Sequence, residues 1–199
     1  MRPGAIILAA GESSRMGRPK ALLPFRGGTF LSVLAATLAC RCSPVIAVFG
    51  AGAENLISNA PPGVSPVING QYRLGMLTSL QAGLRALPGE SRGRVLFGLV
   101  DHPAVALCTI DALVHSSATI AIPRCAGKRG HPVALRKSII DELLAEPPDS
   151  KIRDVVDRHA GEIEYGEIEY IDVNDPGIRD DVDDPAAYER LLLRETEPA

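Results

Sequence analysis

Tryptophan is missing from the chain, and only 4% of its 199 residues are aromatic. That leaves little flat stacking surface, so binding of unpaired bases on an aromatic platform is excluded as an organising theme. A general basic surface is missing too, because the formal net charge is −3. Any anion must be met by a local cluster of cations. No apolar run approaches the roughly 20 residues that span a bilayer. The apolar stretch near the N-terminus, within "MRPGAIILAAGESS", is also too short for a signal-peptide core. These absences predict a cytoplasmic protein that engages neither nucleic acid nor membrane. Cysteine is scarce, with only Cys40, Cys42, Cys108 and Cys125. Cys40 and Cys42 form C-x-C rather than C-x-x-C, and no nearby histidine completes a zinc set. They read as reduced, mostly buried thiols.

Several familiar signatures are absent as well. A Walker A loop needs G-x-x-x-x-G-K-[ST], but here Gly11 and Gly17 are six apart and Lys20 follows Gly17 by three. There is no G-x-G-x-x-G dinucleotide fingerprint. There is no G-x-S-x-G elbow, and no residue stands out as a covalent nucleophile.

What is present is ample core material, 46% hydrophobic, in a length that fits one domain over 1–199. Short apolar runs alternate with helical patterns. Strands are expected at 4–10, 44–50, 64–69, 94–101, 118–124 and 131–136, with an alternating stretch at 163–173. Helices are expected at 29–40 with Thr29 as N-cap, 51–60, 75–87, 106–117, 137–146, 150–160 and 184–195. In the third of these, Met76, Leu80, Leu84 and Leu87 fall along one face. Strand and helix in alternation predict an α/β fold with a mainly parallel sheet covered on both faces.

The loop 10–20 follows the first strand and therefore sits at the carboxyl edge of such a sheet, where ligands bind. Gly11 permits close backbone approach. Ser13 and Ser14 add small donors, while Arg15 and Lys20 offer a fork and a point charge for phosphate oxygens. A solvated surface loop is the plain alternative.

The run "LAAGESSRMGRPKALLP", Leu8 to Pro24, closely resembles the L-A-A-G-x-S-x-R-M-G-x-x-K-x-L-L-P signature of MobA-like nucleotidyltransferases, in the form found in their molybdenum cofactor cytidylyltransferase branch. Four further segments resemble that branch in the same order. They are "NGQYRLGMLTSLQAGL" (69–84), "LVDHPAV" (99–105), "RGHPVAL" (129–135) and "DDVDDPAAY" (180–188). The resemblance implies a three-layer α/β/α Rossmann-like sandwich of the nucleotide-diphospho-sugar transferase type. It also implies transfer of a nucleoside monophosphate from an NTP to a phosphorylated acceptor, with release of pyrophosphate. Leu8, Ala9, Ala10, Gly11 and Ser13 would lie near the nucleotide, joined by Gly75, Ser79 and Leu80. Arg15 and Lys20 would neutralise phosphate charge. His102, Gly130, His131 and Pro132 would face the acceptor; His102 stands where the branch usually has glutamine.

Nucleotidyl transfer needs a divalent metal, and Mg²⁺ prefers one or two carboxylates plus phosphate oxygens. Asp101 ends the fourth strand. Asp181 and Asp183 are two apart, so in an extended segment they share a face. Asp183 is favoured as the second ligand, with Asp181 beside it; Asp184 fits an N-cap of the last helix. The stretch 172–184, with six aspartates, needs an explanation in any case. On the base, "RMGRPK" and "GMLTSL" favour CTP over GTP, and the acceptor would be of molybdopterin type. A molybdoenzyme or its chaperone would be a further partner. GTP, a sugar or alditol phosphate acceptor, and a cofactor-handling chaperone without turnover stay open as alternatives.

Overall fold

The computed structural model describes residues 2–160 and 168–196. Four parallel strands form one side of its sheet, ending at the edge strand β5: β1 (Gly4–Ala9), β4 (Val45–Phe49), β5 (Val64–Ile68) and β6 (Arg94–Leu99). β9 (Val133–Arg136) runs antiparallel to both β6 and β7 (Ile120–Cys125), and β10 (Ile168–Asp172) lies parallel to β7. The order across the sheet is β10-β7-β9-β6-β1-β4-β5, with β8 (Lys128–Arg129) added beside β7. The sheet is mixed but mainly parallel, as expected. A separate two-stranded hairpin pairs β2 (Pro24–Phe25) with β3 (Gly28–Thr29). Of the alternating stretch 163–173, positions 163–167 lie outside the described residues.

β1 is buried along its whole length, and alternate residues face opposite layers. Ala5, Ile7 and Ala9 pack with α1 (Phe30–Ala39), α4 (Leu107–His115) and α7 (Pro185–Thr196); Ile6 and Leu8 pack with α3 (Met76–Ala86), α5 (Lys137–Ala145) and α6 (Ile152–His159). The period of two in a strand makes this two-sided burial possible. Thr29 caps α1 in a reciprocal box: its hydroxyl accepts from Ser32 N at 3.2 Å, and Ser32 Oγ accepts from Thr29 N at 2.7 Å. In α3 the apolar face is made by Leu77, Leu80, Leu84 and Leu87, whereas Met76 is 50% exposed. Met76 opens the helix just after Gly75, and Leu77 takes the first buried position.

The order of chain travel matters for function. From β1 the chain moves outward through β4 to β5, then returns to place β6 on the other side of β1. The direction of winding therefore reverses between β1 and β6, and their carboxyl ends open a crevice there.

The aspartates of 172–184 divide into distinct structural tasks. Asp172 pairs with Arg124 at 2.7 Å. Asp180 holds Arg194 of α7. Asp184 accepts from Ala187 N at 2.8 Å and caps α7. Asp175 is 3% exposed and accepts from Ala106 N, Thr109 Oγ1 and Gly177 N, at 2.6–2.9 Å. It thereby ties the start of α4 to the turn 176–179. Asp175→Ala strands these donors in a buried place and should cost about 2–4 kcal/mol, measured as a lower urea midpoint at unchanged slope. The two aspartates without such a task are Asp181 and Asp183.

Candidate active site

The loop after β1 is curled, not extended. Ser13 adopts a left-handed backbone, φ 51°, and its carbonyl accepts from Met16 N and Gly17 N, both at 3.1 Å. The Ser13 hydroxyl accepts from Lys20 N at 3.1 Å. Met16, 7% exposed, anchors the loop in the core. This arrangement aims Lys20 inward while Arg15 stays at the rim, its side chain 68% exposed. On the surface beside it, Glu12 accepts from Arg73 Nε at 3.2 Å. Gly50 lets the walls meet: a methyl group there would sit 2.6 Å from both Ala10 O and the Tyr72 ring.

The crevice between β1 and β6 is a cavity of about 350 Å³. Leu8, Ala9, Ala10, Gly11, Ser13, Arg15, Lys20, Gly75, Ser79, Asp101 and Asp183 all line it. Residues separated by more than 160 positions in sequence are thus brought to one place. Asp183 arrives through a segment whose Val182 is buried and donates its N–H to Asp101 O at 3.3 Å. The segment is tightly turned rather than extended, since Asp183 N donates to Asp181 O at 3.1 Å; Val182 faces inward while Asp181 stays exposed.

Lys20 is the hub. Its ammonium donates to Asp101 Oδ2 at 3.0 Å and to Asp183 Oδ1, and Arg15 donates to Asp183 Oδ2. Burial works against the Lys20 charge, but the hydrogen bonds and charges of Asp183 and Asp101 outweigh it and raise the pKa. Asp101 is also opposed by burial. His102, 3.0 Å away through Nδ1, and Lys20 overcome that and hold its carboxyl at a pKa of about 2. The Lys20 hydrogen bond lowers Asp183, against a smaller effect of burial. Asp181 moves the other way, raised by burial and then by the negative charges of Asp101 and Asp183.

Carboxylate oxygens of Asp101, Asp181 and Asp183 lie within 4.8 Å of one another. They are hard oxygen donors, and the crowding that raises Asp181 is what a divalent cation would relieve. The donor set fits Mg²⁺ or a similar ion.

The other sequence-predicted residues lie elsewhere. Leu80 is 0% exposed and packs in the core between α3 and the sheet, so its side chain does not reach the cavity. His102, 7% exposed, sits behind Asp101. Its ring meets His131 edge-on at 5.3 Å between centroids, and His131 meets Phe97 likewise at 5.5 Å. Burial, reinforced by His102, lowers the His131 pKa to about 4, so that ring is neutral near pH 7. Pro132 is buried beside Gly98. Gly130 is explained by close packing: a methyl group there would lie 2.2 Å from Ile178 O. Together these four form a layer behind Asp101, not a wall of the cavity.

Sequence reasoning passed over Leu56, Tyr72 and Met76, which also line the cavity. It also passed over Asn69, buried beside it. Tyr72 and Asn69 fall at the start of the second motif segment, before Gly75, and their polar character just after a strand was the available signal.

The sequence model of the MobA-like NTP transferase domain matches residues 5–163. Nicotine blue oxidoreductase of Paenarthrobacter nicotinovorans is 30% identical over 94% of this chain and 95% of its own length. Molybdenum cofactor cytidylyltransferase of Escherichia coli K12 is 29% identical over 86% of this chain and 90% of its own. Among solved structures, the manganese complex of Rv0371C from Mycobacterium tuberculosis H37Rv superposes with a TM-score of 0.80 at 25% identity, covering 99% of this chain and 100% of that one. The fold is that of the nucleotide-diphospho-sugar transferases.

Proposed function

Starting from a chain that belongs to the MobA-like NTP transferase family and is a nucleotidyltransferase, we propose that it moves CMP from CTP to a molybdopterin-type phosphorylated acceptor in a Mg²⁺-dependent reaction. Residues 1–199 act as a single nucleotidyltransferase domain. The observation that carries this reading is the Lys20 ammonium, bridged to Asp101 and Asp183 beside the loop 10–20.

An acceptor phosphate oxygen forms a bond to the α-phosphorus of the nucleotide. The bond from that phosphorus to the bridging oxygen breaks, and pyrophosphate leaves. No side-chain nucleophile is required. Arg15 and Lys20 bind the triphosphate oxygens and offset the charge that builds on them. An ammonium has three protons; two face Asp101 and Asp183, and the third is free for phosphate. His102 orients Asp101 through its Nδ1. A divalent cation held by Asp101, Asp183 and Asp181 would polarise the α-phosphate.

Several observations support this reading over its alternatives. "RMGRPK" and "GMLTSL" match the cytidylyl form of the signature. A dinucleotide fingerprint is missing after β1, which supports nucleotidyl transfer over hydride transfer. No described helix is long and apolar enough to cross a membrane. The decisive experiment measures pyrophosphate release with each of the four NTPs, with and without molybdopterin. Acceptor-dependent release that is greatest with CTP is expected. A preference for GTP overturns the base, and release that ignores the acceptor overturns the transfer.

A further inference from the structure

Asn69 stands immediately after β5, at the sheet edge that opens into the cavity, and is 6% exposed. The backbone N–H of Gln71 donates to its Oδ1 at 2.9 Å. That group can only donate, so it fixes which end of the amide is oxygen. The amide nitrogen then donates to Thr78 Oγ1 at 2.9 Å and to Ser79 Oγ at 3.0 Å. Thr78 in turn directs its own proton to Gly75 O at 2.8 Å, with Gln71 O at 3.1 Å. Ser79 differs: among the described residues no acceptor takes its hydroxyl proton. Ser79 is 3% exposed and lines the cavity. A buried hydroxyl with one of its two lone pairs engaged and its proton unpartnered is completed by an acceptor on a ligand.

We infer that Asn69 is a positioning residue for base choice: by donating to Ser79 Oγ it holds that hydroxyl as a donor toward the cavity, so that a base presenting an acceptor there is preferred over one presenting N–H. Cytosine presents two adjacent acceptors, N3 and O2, on its pairing edge, whereas guanine presents mainly donors. The inference rests on the CTP reading above and adds the group that enforces it. Backbone and side-chain geometry make the polarity a property of the pair. Serine alone rotates freely and serves as donor or acceptor.

The test is a double-mutant cycle on the full chain, reading CTP and GTP dissociation constants and steady-state rates. In Asn69→Asp the carboxylate accepts from Ser79, and the hydroxyl turns its lone pairs to the cavity. The ratio of CTP to GTP affinity should then fall about ten- to hundredfold, with kcat at saturating CTP changed far less than KM. In the Ser79→Ala background the same substitution should leave the ratio within about threefold. An unchanged ratio in folded Asn69→Asp, or an equal change in both backgrounds, overturns the inference. Wild-type preference is a separate readout: if the wild type favours GTP, the CTP reading fails, while the coupling of residues 69 and 79 is still decided by the cycle. A second arm leaves residue 69 intact in case its variant does not fold. Wild type should bind 3-deaza-CTP or 2-thio-CTP at least about tenfold more weakly than CTP, and Ser79→Ala should erase that difference. Equal binding of all three by wild type overturns the donor assignment.

Discussion

Lys20→Ala should lower kcat by roughly 10²–10³ while raising nucleotide KM much less. The ammonium sits between Asp101 and Asp183 in the wall of the cavity beside the loop 10–20. In the resting site it holds these carboxylates together; with substrate it offers its remaining proton to phosphate oxygen. Both tasks matter more as negative charge builds on the transferring group, so the loss appears in kcat. Lys20→Arg should recover only part of the rate, because a planar fork cannot occupy the position of a compact charge between two carboxylates. Steady-state pyrophosphate release checks both variants. Activity of Lys20→Ala within a few-fold of wild type would remove Lys20 from the mechanism.

Asp101→Asn should nearly abolish turnover, by about 10³ or more, and leave the fold intact. The carboxyl has a pKa of about 2 in the folded chain, against roughly 3.9 in an unfolded one. A depressed folded pKa means that the charged form stabilises the fold above about pH 4 and that this contribution is lost as pH falls toward 2. The amide forfeits on the order of 2 kcal/mol, which is small beside the usual 5–15 kcal/mol of a domain (roughly). Lost turnover in a variant that still melts cooperatively is therefore lost chemistry. Asp183→Asn should cost less, since an amide still offers an oxygen, and Asp181→Asn least of the three. Chelation by EDTA should silence the wild type and be reversed by Mg²⁺. Full activity after chelation would sink the metal reading.

The sheet was legible because buried parallel strands are written as unbroken apolar runs, as in Gly4–Ala9 and Val45–Phe49. The hairpin of β2 and β3 was not legible, since strands of two residues carry no period. The loop 10–20 and Asp101 could be located because each follows a strand at the carboxyl edge. The contact of Asp183 with Lys20 depends on long-range chain return, which no local pattern encodes; the motif match alone brought it forward. The stretch 172–184 shows the same limit. Its aspartates look alike in sequence, yet Asp175 is a buried cap and Asp180 an anchor for α7, because their partners come from distant segments. Asn69 escaped notice for a related reason. Its meaning lies in which atoms it leaves unsatisfied on Ser79, and that is settled only by the packed network.

The carboxylates of the site are delivered at different times. During synthesis the ribosome has already made Lys20, the loop around it and Asp101 when 181–183 is still to come. Until that segment is laid against Asp101 through Val182, Lys20 has one carboxylate to engage, and the negative trio is incomplete. α7 is pinned by Tyr188 to Pro24 O at 2.6 Å and by Arg26 to Glu195 at 2.9 Å. A product truncated before Asp181 is expected to keep the loop 10–20 and Asp101 but lose two of the three carboxylates gathered beside them.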